Sequence, residues 1–337
     1  MKIDGSLGEG GGQILRTSAA LSVFTGEKIS LDRIRAGRRE PGLRPQHLTA
    51  LEILKKISDA ATDGLKVGSE EIEFDPGEPK GGEYEFDIGT AGSVTLVFET
   101  LVLGLHGSKE RYVIDITGGT DVRWSPPWDH FEHVYLPIIR SMGIDVQAEL
   151  MRRGHHPRGG GKARLIMGGG PSGPRGIEHE PKNGPWEVKG KIHLSNLPVH
   201  IAKRMRKSAS KMLMRSDLVP EIHIERGGPL STGTGIVLWA RSGQSLIGSS
   251  CLGRKGVPAE KIGEEAAGDL LREIDSGASV DVHTMDQIIP LMGIAKGSRC
   301  FVREITGHIR TNIGVVEDFL NLRFDIDEES DPISIRI

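Results

Sequence analysis

The spacing of apolar residues predicts the same succession of helices and strands in three stretches of this chain. Spacings of three and four residues mark the helices, and alternation of apolar and polar residues marks the strands. The first unit is predicted to contain helix 13–24, strand 28–34, loop 35–42, helix 45–60 and strands 64–67 and 71–74. A repeat of this kind decides the architecture before any single motif does, and it predicts an α/β fold of three related units.

Two later stretches follow the same order. The second unit is predicted to contain helix 93–105, strand 111–116, loop 117–125, helix 127–142 and strands 144–150 and 162–167. The third is predicted to contain helix 286–295, strand 300–305, loop 306–310, helix 311–320 and strands 322–326 and 333–337. Each loop lies after a strand and before a helix, where α/β proteins collect catalytic groups. These loops carry Arg35 and Arg38 in the first unit, Arg123 in the second and His308 in the third.

A segment with its own pattern separates the second and third units. It follows a Gly- and Pro-rich stretch at 168–176. It is predicted to contain strands 186–193, 221–225, 236–240 and 245–251 and helices 198–214 and 258–274. We expect a large domain of residues 1–182 and 278–337, with a small α/β domain of residues 183–277 inserted at a surface loop.

Composition narrows the class of protein. Of the 337 residues, 37% are hydrophobic, which is enough to bury a core without disulfides or a structural metal. Cys251 and Cys300 lack the spacing of a zinc site, and we expect both to be reduced. No basic segment precedes an apolar run at the N-terminus and no apolar stretch has transmembrane length, so we expect a cytoplasmic protein.

Overall charge does not indicate a partner, because the net charge is only −3. Basic residues cluster within 33–44, 152–164 and 203–215, where each cluster is either a solvated face or an anion contact. The aromatic content of 4% argues against exposed stacking platforms for long single strands.

Four short segments carry candidate chemistry. Residues 8–16, GEGGGQILR, form a glycine turn that leads into a helix, without the GK[ST] ending of a P-loop or the spacing of a dinucleotide fingerprint. Residues 34–47, IRAGRREPGLRPQH, place several arginines in one loop, which is costly unless an anion lies among them. Residues 284–292 contain an Asp-Gln pair, and residues 307–316 read GHIRTNIGVV.

All four segments, in this order, resemble the RNA 3′-terminal phosphate cyclase family, and the resemblance covers essentially the whole chain. It implies three βαβαββ-type units, as in the enolpyruvate transferases, with an inserted α/β domain that has thioredoxin-like elements. The activity it implies is ATP-dependent conversion of an RNA 3′-terminal phosphate to a 2′,3′-cyclic phosphate, with release of AMP and pyrophosphate. ATP and a divalent metal, Mg or Mn, are the implied cofactors, and RNA with a 3′-terminal phosphate is the implied partner.

The resemblance also assigns roles to residues. His308 is implied as the nucleophile that transiently carries AMP. The phosphate-gripping and catalytic positions implied beside it are Arg16, Arg35, Arg38 and Gln46. The implied nucleotide pocket consists of Gln13, Pro127, His130, His283, Asp286 and Gln287. The implied metal ligands are Glu9 and Glu99, where Glu99 stands at a position at which the family often has Gln.

Other interpretations of these residues remain open. His283 is the strongest rival to His308 as nucleophile, and His47 is expected to pack on its helix. His155 and His156 either touch RNA or are simply exposed. Glu9 and Asp286 also suit helix N-termini without any ligand.

Two other functional classes compete with the cyclase. One is a non-catalytic RNA-binding or ribosome-assembly relative, and the other is an enolpyruvate-type transferase. The joint presence of His308, Arg35, Arg38 and Gln287 favours the cyclase. Because these residues lie outside 183–277, we expect adenylation to survive removal of the insert, whose basic helix 198–214 is expected to add RNA affinity.

Overall fold

The computed structural model describes residues 1–8, 11–169, 173–181, 184–228 and 230–337, with only the backbone of Gln46. The first unit contains β1 (Lys2–Asp4), α1 (Gly12–Thr25), β2 (Ile29–Asp32), α2 (Pro45–Ser58), β3 (Ala61–Asp63) and β4 (Ile72–Asp75). Its sheet has the order β1-β2-β4-β3, in which β1 and β2 are parallel and the other pairs are antiparallel.

The second unit repeats this topology. It contains β5 (Gly82–Asp87), α3 (Val94–Leu105), β6 (Tyr112–Gly118), α4 (Trp128–His130), a π-helical segment (Phe131–Tyr135), α5 (Leu136–Ser141), β7 (Val146–Arg152) and β8 (Gly161–Met167). The sheet order β5-β6-β8-β7, with only β5 and β6 parallel, is the order of the first unit. The predicted βαβαββ repeat is confirmed by this correspondence.

The segment between the units forms a separate four-stranded sheet. It contains β9 (Glu187–Ser195), α6 (Val199–Met214), β10 (Glu221–Arg226), β11 (Gly233–Ser242), β12 (Ser245–Leu252) and α7 (Ala259–Asp275). Strand β9 lies parallel to β10 and antiparallel to β11, in the order β10-β9-β11-β12. A βαβ half followed by a ββα half in this order is a thioredoxin-like arrangement, as the family resemblance implied.

The third unit is less regular. It contains α8 (Val282–Ala295), β13 (Arg299–Val302), α9 (Gly307–Leu320), β14 (Asp325–Asp327) and β15 (Ile333–Arg336). Its sheet has the order β13-β15-β14 and is antiparallel. In place of a first strand, the N–H groups of Ser279 and Val280 donate to the carbonyl oxygen of Phe301, at 2.9 and 3.2 Å.

Two hydrophobic cores stabilise the chain. The larger core joins all three units, and α1 packs against α2, α3 and α9 at its centre. The smaller core consists of residues between Trp186 and Leu270, on the sheet of the insert and on α6 and α7, which pack against each other. Leu246 of β12 belongs to the larger core, so the two cores meet along β12. None of the described helices is long and apolar enough to cross a bilayer.

Several predicted boundaries are wrong for identifiable reasons. Strands β1 and β5 were not predicted. β1 has only three residues, and β5 is mostly exposed, although its polar and aromatic residues alternate. The strand predicted at 64–67 lies instead at Ala61–Asp63. Helix α8 begins at Val282, before the predicted 286, because the side chain of Asp281 accepts from the N–H groups of His283 and Thr284.

His308 lies in a helix and not in a loop. The sequence predicts it in a loop, but α9 begins at Gly307, so His308 lies in the first turn of a helix. Thr306 caps this helix, since its hydroxyl oxygen accepts from the N–H of Ile309 at 3.2 Å. The polar residues of this turn gave no apolar period, so the pattern alone placed the helix start too late.

Candidate active site

An open cleft of about 820 Å³ lies where the three units meet. It is lined by residues from the first turns of α1, α2, α8 and α9, so the positive ends of their helix dipoles converge on it. Helix N-termini are favourable sites for phosphate and other anions. The cleft is therefore suited to a polyanionic ligand.

Most of the side chains expected from the sequence line this cleft. They are Gln13, Arg16, Arg35, Arg38, Glu99, Pro127, His130, His283, Asp286, Gln287 and His308. Glu9 and the side chain of Gln46 lie outside the described residues. Arg123, expected at the equivalent loop of the second unit, is exposed and is not among the residues that line the cleft.

A hydrogen-bond chain fixes the imidazole of His308. His308 Nδ1 lies 2.6 Å from Gln13 Oε1, and Gln13 Nε2 donates to Asp286 Oδ1. Because the amide nitrogen of Gln13 is directed at a carboxylate, its oxygen can only accept, so Nδ1 of His308 must carry the proton. The neutral ring then has its lone pair on Nε2. This arrangement prepares one ring nitrogen to act as a nucleophile.

Asp286 is anchored in turn by α9 and α1. Asn312 Nδ2 donates to the Asp286 backbone oxygen at 2.8 Å and to Asp286 Oδ1 at 3.0 Å. Thr17 Oγ1 donates to Asn312 Oδ1 at 3.1 Å. Burial raises the pKa of the Asp286 carboxyl, while the hydrogen bond from Gln13 and the charges of His308 and Arg16 lower it. Sequence reasoning missed Asn312 and Thr17, although Asn312 lies one helical turn after His308.

Positive charge is concentrated on one side of the cleft, where Arg16, Arg35, Arg38 and Arg44 line it. Arg35 has a left-handed backbone, with φ 56°, and its Nη1 donates to the carbonyl oxygens of Glu40 and Gly42 at 2.8 and 2.9 Å. Burial and the nearby charges of Arg44 and Arg38 lower the pKa of Arg35. Such like-charge crowding is relieved when phosphate oxygens bind among the guanidinium groups. Arg44 belongs to the basic cluster within 33–44 that the sequence indicates, although the family resemblance assigned it no role.

His47 lies in the first turn of α2 and contacts the backbone of Arg44. It is buried, and its Nδ1 accepts from the N–H of Arg44 at 3.3 Å. Burial, together with Arg16, Arg35 and Arg44, lowers the pKa of His47 to about 3, so the ring is neutral at physiological pH. A Cβ on Gly12 would lie only 2.1 Å from His47 Nε2, and this close approach requires glycine at the start of α1.

Glu99 offers a carboxylate for a cation. Burial raises the pKa of Glu99 to about 8, against the opposing effect of Arg16 and with a contribution from Asp286. Its Oε1 is buried and has no hydrogen-bond partner among the described residues. Burial lowers the pKa of Arg16, and Glu99 and Asp286 oppose that shift. An unpartnered carboxylate oxygen near a second carboxylate fits a hard divalent cation, which favours oxygen ligands.

The opposite wall joins the cleft to the insert. His130 is buried, and its Nε2 lies 3.7 Å from Asp281 Oδ1. Asp281 Oδ2 accepts from the N–H of Gly248 on β12 at 2.9 Å. Burial opposes ionisation of Asp281, but the contact with His130 and the N–H of Thr284 hold its pKa at about 2. His283 lies exposed on the next turn, and Ser249 and Ser250 of β12 also line the cleft.

A buried ionic cluster forms a second link to the insert. Arg153 Nη2 donates to both carboxylate oxygens of Asp129 at 2.9 Å, and Arg153 Nε donates to Glu225 Oε1 of β10 at 2.7 Å. Lys191 Nζ of β9 lies 3.1 Å from Asp129 Oδ1. Asp129 precedes His130, so residues of the insert neutralise a charge directly behind the cleft wall. The expectation that the insert is separate from the site needs revision on this ground.

The same cluster corrects the interpretation of His155. His155 is buried, and its ring stacks on that of His193 with a centroid separation of 5.3 Å, so it is not a surface residue. Burial lowers the pKa of His155 to about 4, although the charge of Asp121 opposes that shift. Donor atoms of Asp121, His155 and His193 lie within 4.8 Å of one another. Both Asp121 oxygens already accept from Arg153 Nη1 at 3.2 Å, so a guanidinium supplies the positive charge there.

Known proteins resemble this chain over nearly its whole length. The family model for RNA 3′-terminal phosphate cyclase matches residues 7–326. A protein of Pyrococcus furiosus with that name is 46% identical over 324 residues, which cover 96% of this chain and 94% of the relative. Its namesake in Archaeoglobus fulgidus is 44% identical over 321 residues, with 95% of each chain covered. The namesake in Methanopyrus kandleri is 43% identical over 349 aligned positions, which cover 100% of this chain and 98% of the relative.

With a family model that spans nearly the whole chain and relatives that align over nearly their full length, this protein belongs to the RNA 3′-terminal phosphate cyclase family.

Proposed function

We propose that this protein uses ATP to convert an RNA 3′-terminal phosphate to a 2′,3′-cyclic phosphate. The observation that carries the proposal is the chain His308–Gln13–Asp286 beside a cluster of arginines. One imidazole is held in a nucleophilic tautomer, and the positive charge next to it suits phosphate. A non-catalytic relative has no physical need for that pair of features.

The first step forms a covalent enzyme adenylate. His308 Nε2 attacks the α-phosphorus of ATP, a P–N bond forms, and the bond to the departing pyrophosphate breaks. The proton stays on Nδ1, where Gln13 Oε1 accepts it. Arg16, Arg35 and Arg38 stabilise the charge that develops on the phosphate oxygens, and their fixed positions avoid the cost of reorganisation during the reaction.

Two further displacements complete the reaction. An oxygen of the RNA 3′-phosphate attacks the AMP phosphorus and the P–N bond breaks, which restores neutral His308. The neighbouring ribose 2′-hydroxyl then attacks the RNA 3′-phosphorus, loses its proton to solvent and displaces AMP. Because AMP is a good leaving group, positioning matters more in this step than a strong base does.

The other cleft residues are assigned to the nucleotide and the cation. Pro127, His130 and His283 would border the adenine. Gln287 Oε1 is buried and lacks a partner within the described part of the chain, so it is suited to accept from an adenine amino group. Glu99 and Asp286, with Glu9 as a further expected ligand, would hold a divalent cation. When bound, that cation would offset the negative charge of the ATP phosphates.

We also infer the division into a domain of residues 1–182 and 278–337 and an inserted domain of residues 183–277. A separate core between Trp186 and Leu270 supports this division. The cytoplasmic location stays a prediction.

Self-labelling with α-labelled ATP tests the proposal. The wild-type protein, incubated with ATP and Mg²⁺ or Mn²⁺ without RNA, is expected to acquire acid-labile, base-stable label on denaturing gels. The variants His308→Ala and His308→Asn are expected to lose it, whereas His223→Ala, an exposed histidine of the insert, is expected to label normally. Full labelling of His308→Ala with loss in His283→Ala would assign the nucleophile to His283. A circular dichroism melt of each variant checks that the fold is intact.

A further inference from the structure

Trp124 is an aromatic side chain that the fold leaves in solvent. It is 96% exposed, whereas Trp128 and Trp186 are 1% and 8% exposed and Trp239 is half-buried. Single exposed apolar residues are common on protein surfaces, so exposure alone indicates nothing. The position of Trp124 and the backbone beneath it provide the further evidence.

The backbone of Trp124 is in an unfavourable conformation that its neighbours hold rigidly. Its φ is 68°, in the left-handed region that bulky residues rarely adopt. Ser125 Oγ donates to the carbonyl oxygen of Val122 at 3.0 Å, and Thr95 Oγ1 donates to that of Pro126 at 2.8 Å. The N–H of Trp128 donates to the carbonyl oxygen of Thr120 at 3.0 Å. Strained residues held by their surroundings are concentrated at ligand sites.

The location of Trp124 connects it to the reaction. Its loop follows β6, and in the other two units the equivalent loop or helix start carries Arg35 with Arg38 and His308. Trp124, Ser125 and Pro126 line the cleft beside Pro127. Pro127 and His130 are buried, so the adenine wall lies deeper than the exposed indole. Trp124 therefore lies at the exposed edge of the cleft, where a chain bound in the cleft can reach it.

We propose that Trp124 stacks on the base of the 3′-terminal nucleotide of the RNA. This inference rests on the proposed function, because it supplies a place for the nucleotide whose 3′-phosphate reaches His308. Every base has an aromatic face, so such stacking adds affinity without selecting a sequence. It also suits a protein with few aromatic residues, since one terminal base needs one ring and not an extended platform.

The test compares two RNA substrates in four forms of the protein: the wild type, Trp124→Ala, Trp124→Phe and the control Arg123→Ala. One RNA has an ordinary 3′-terminal nucleotide and the other has an abasic one, and both carry a 3′-phosphate. For the ordinary RNA, Trp124→Ala is expected to raise KM by about 5- to 150-fold, the equivalent of the ~1–3 kcal/mol that base stacking contributes. Trp124→Phe is expected to recover most of this loss, since it retains a ring.

The abasic RNA separates stacking from structural damage. Wild-type protein is expected to discriminate against it by a similar factor, and Trp124→Ala is expected to treat the two RNAs alike. Equal discrimination by wild type and Trp124→Ala would overturn the proposal. Arg123→Ala is the matched control in the same loop, and it is expected to leave discrimination between the two RNAs unchanged.

ATP-dependent self-labelling distinguishes a failure of this proposal from a failure of the proposed function. Without RNA, Trp124→Ala is expected to label His308 with an unchanged KM for ATP. A raised KM for ATP would show that the indole serves adenine and would refute the RNA assignment alone. Absence of label in the wild-type protein would instead refute the proposed function.

Discussion

The hydrogen bond between His308 and Gln13 is the contact from which the reactive tautomer follows. We predict that Gln13→Met slows self-adenylation strongly while changing ATP binding little. Methionine keeps the length of the side chain but removes the oxygen that accepts from His308 Nδ1. The ring is then free to place its proton on Nε2, which removes the lone pair needed for attack on ATP.

The expected size of the effect follows from the contacts. A hydrogen bond within a protein contributes a net ~0.5–1.5 kcal/mol, and one that involves a charged group ~1.5–3 kcal/mol. In the adenylation transition state the Nδ1–H of His308 becomes positively charged, so the stronger range applies. The predicted loss is about 10- to 150-fold in the single-turnover labelling rate.

The assay measures the labelling rate against ATP concentration, which separates the maximal rate from the concentration dependence. Gln147→Met, an exposed glutamine on β7, is the control for the substitution itself. If Gln13→Met labels at the wild-type rate, the tautomer argument is refuted. A loss confined to the ATP dependence would show that Gln13 binds the nucleotide without orienting His308.

Three other outcomes are expected. Arg35→Ala and Arg38→Ala should each lower adenylation or AMP transfer by about 100-fold or more, because fixed charge facing the phosphate is lost; near-normal turnover in both would make the cluster a solvated face. Burial raises the pKa of Glu273 to about 7, above its usual 4.5. The contribution of Glu273 to stability is therefore fully present below pH 4.5 and is lost as the pH rises through 7. Glu273→Gln should therefore raise Tm at pH 8 and leave it unchanged at pH 4.5. The corresponding gain in the free energy of unfolding at pH 8 is at most ~3 kcal/mol, and equal Tm shifts at both pH values would contradict this prediction. Excision of 183–277 should abolish adenylation, since it removes Ser249 and Ser250 from the cleft wall and the contacts of Lys191 and His193 with buried Asp129, whose pairing with Arg153 remains; retained self-labelling would contradict this coupling.

Much of the fold was accessible from the sequence because periodicity reports burial. The long helices α1, α3 and α6 each bury a recurrent apolar face, and their predicted bounds lie within two residues of those observed. Strand β5 alternates polar and aromatic residues but has no fully buried residue, and it was missed. Prediction therefore succeeded where the core dictated the residue types and failed at the edges of the sheets.

The residues of the candidate site were also predicted only in part. Motifs indicated which residues belong together, and eleven of the expected side chains line one cleft. Sequence spacing cannot report the partner of a side chain, so Asn312 and Thr17 were not identified. Their hydrogen bond joins two helices that are far apart in the chain.

The position of His308 on a helix changes how its reactivity is explained. A nucleophile in a loop would need its neighbours to restrict its motion, whereas the first turn of α9 fixes its backbone through the Thr306 cap. The positive end of the helix dipole there attracts the phosphates of ATP. Gln13 then has only to select between the two tautomers of His308, and a single neutral hydrogen-bond acceptor can do this. A carboxylate at the position of Gln13 would repel both Asp286 and the nucleotide, so a glutamine is the better residue there.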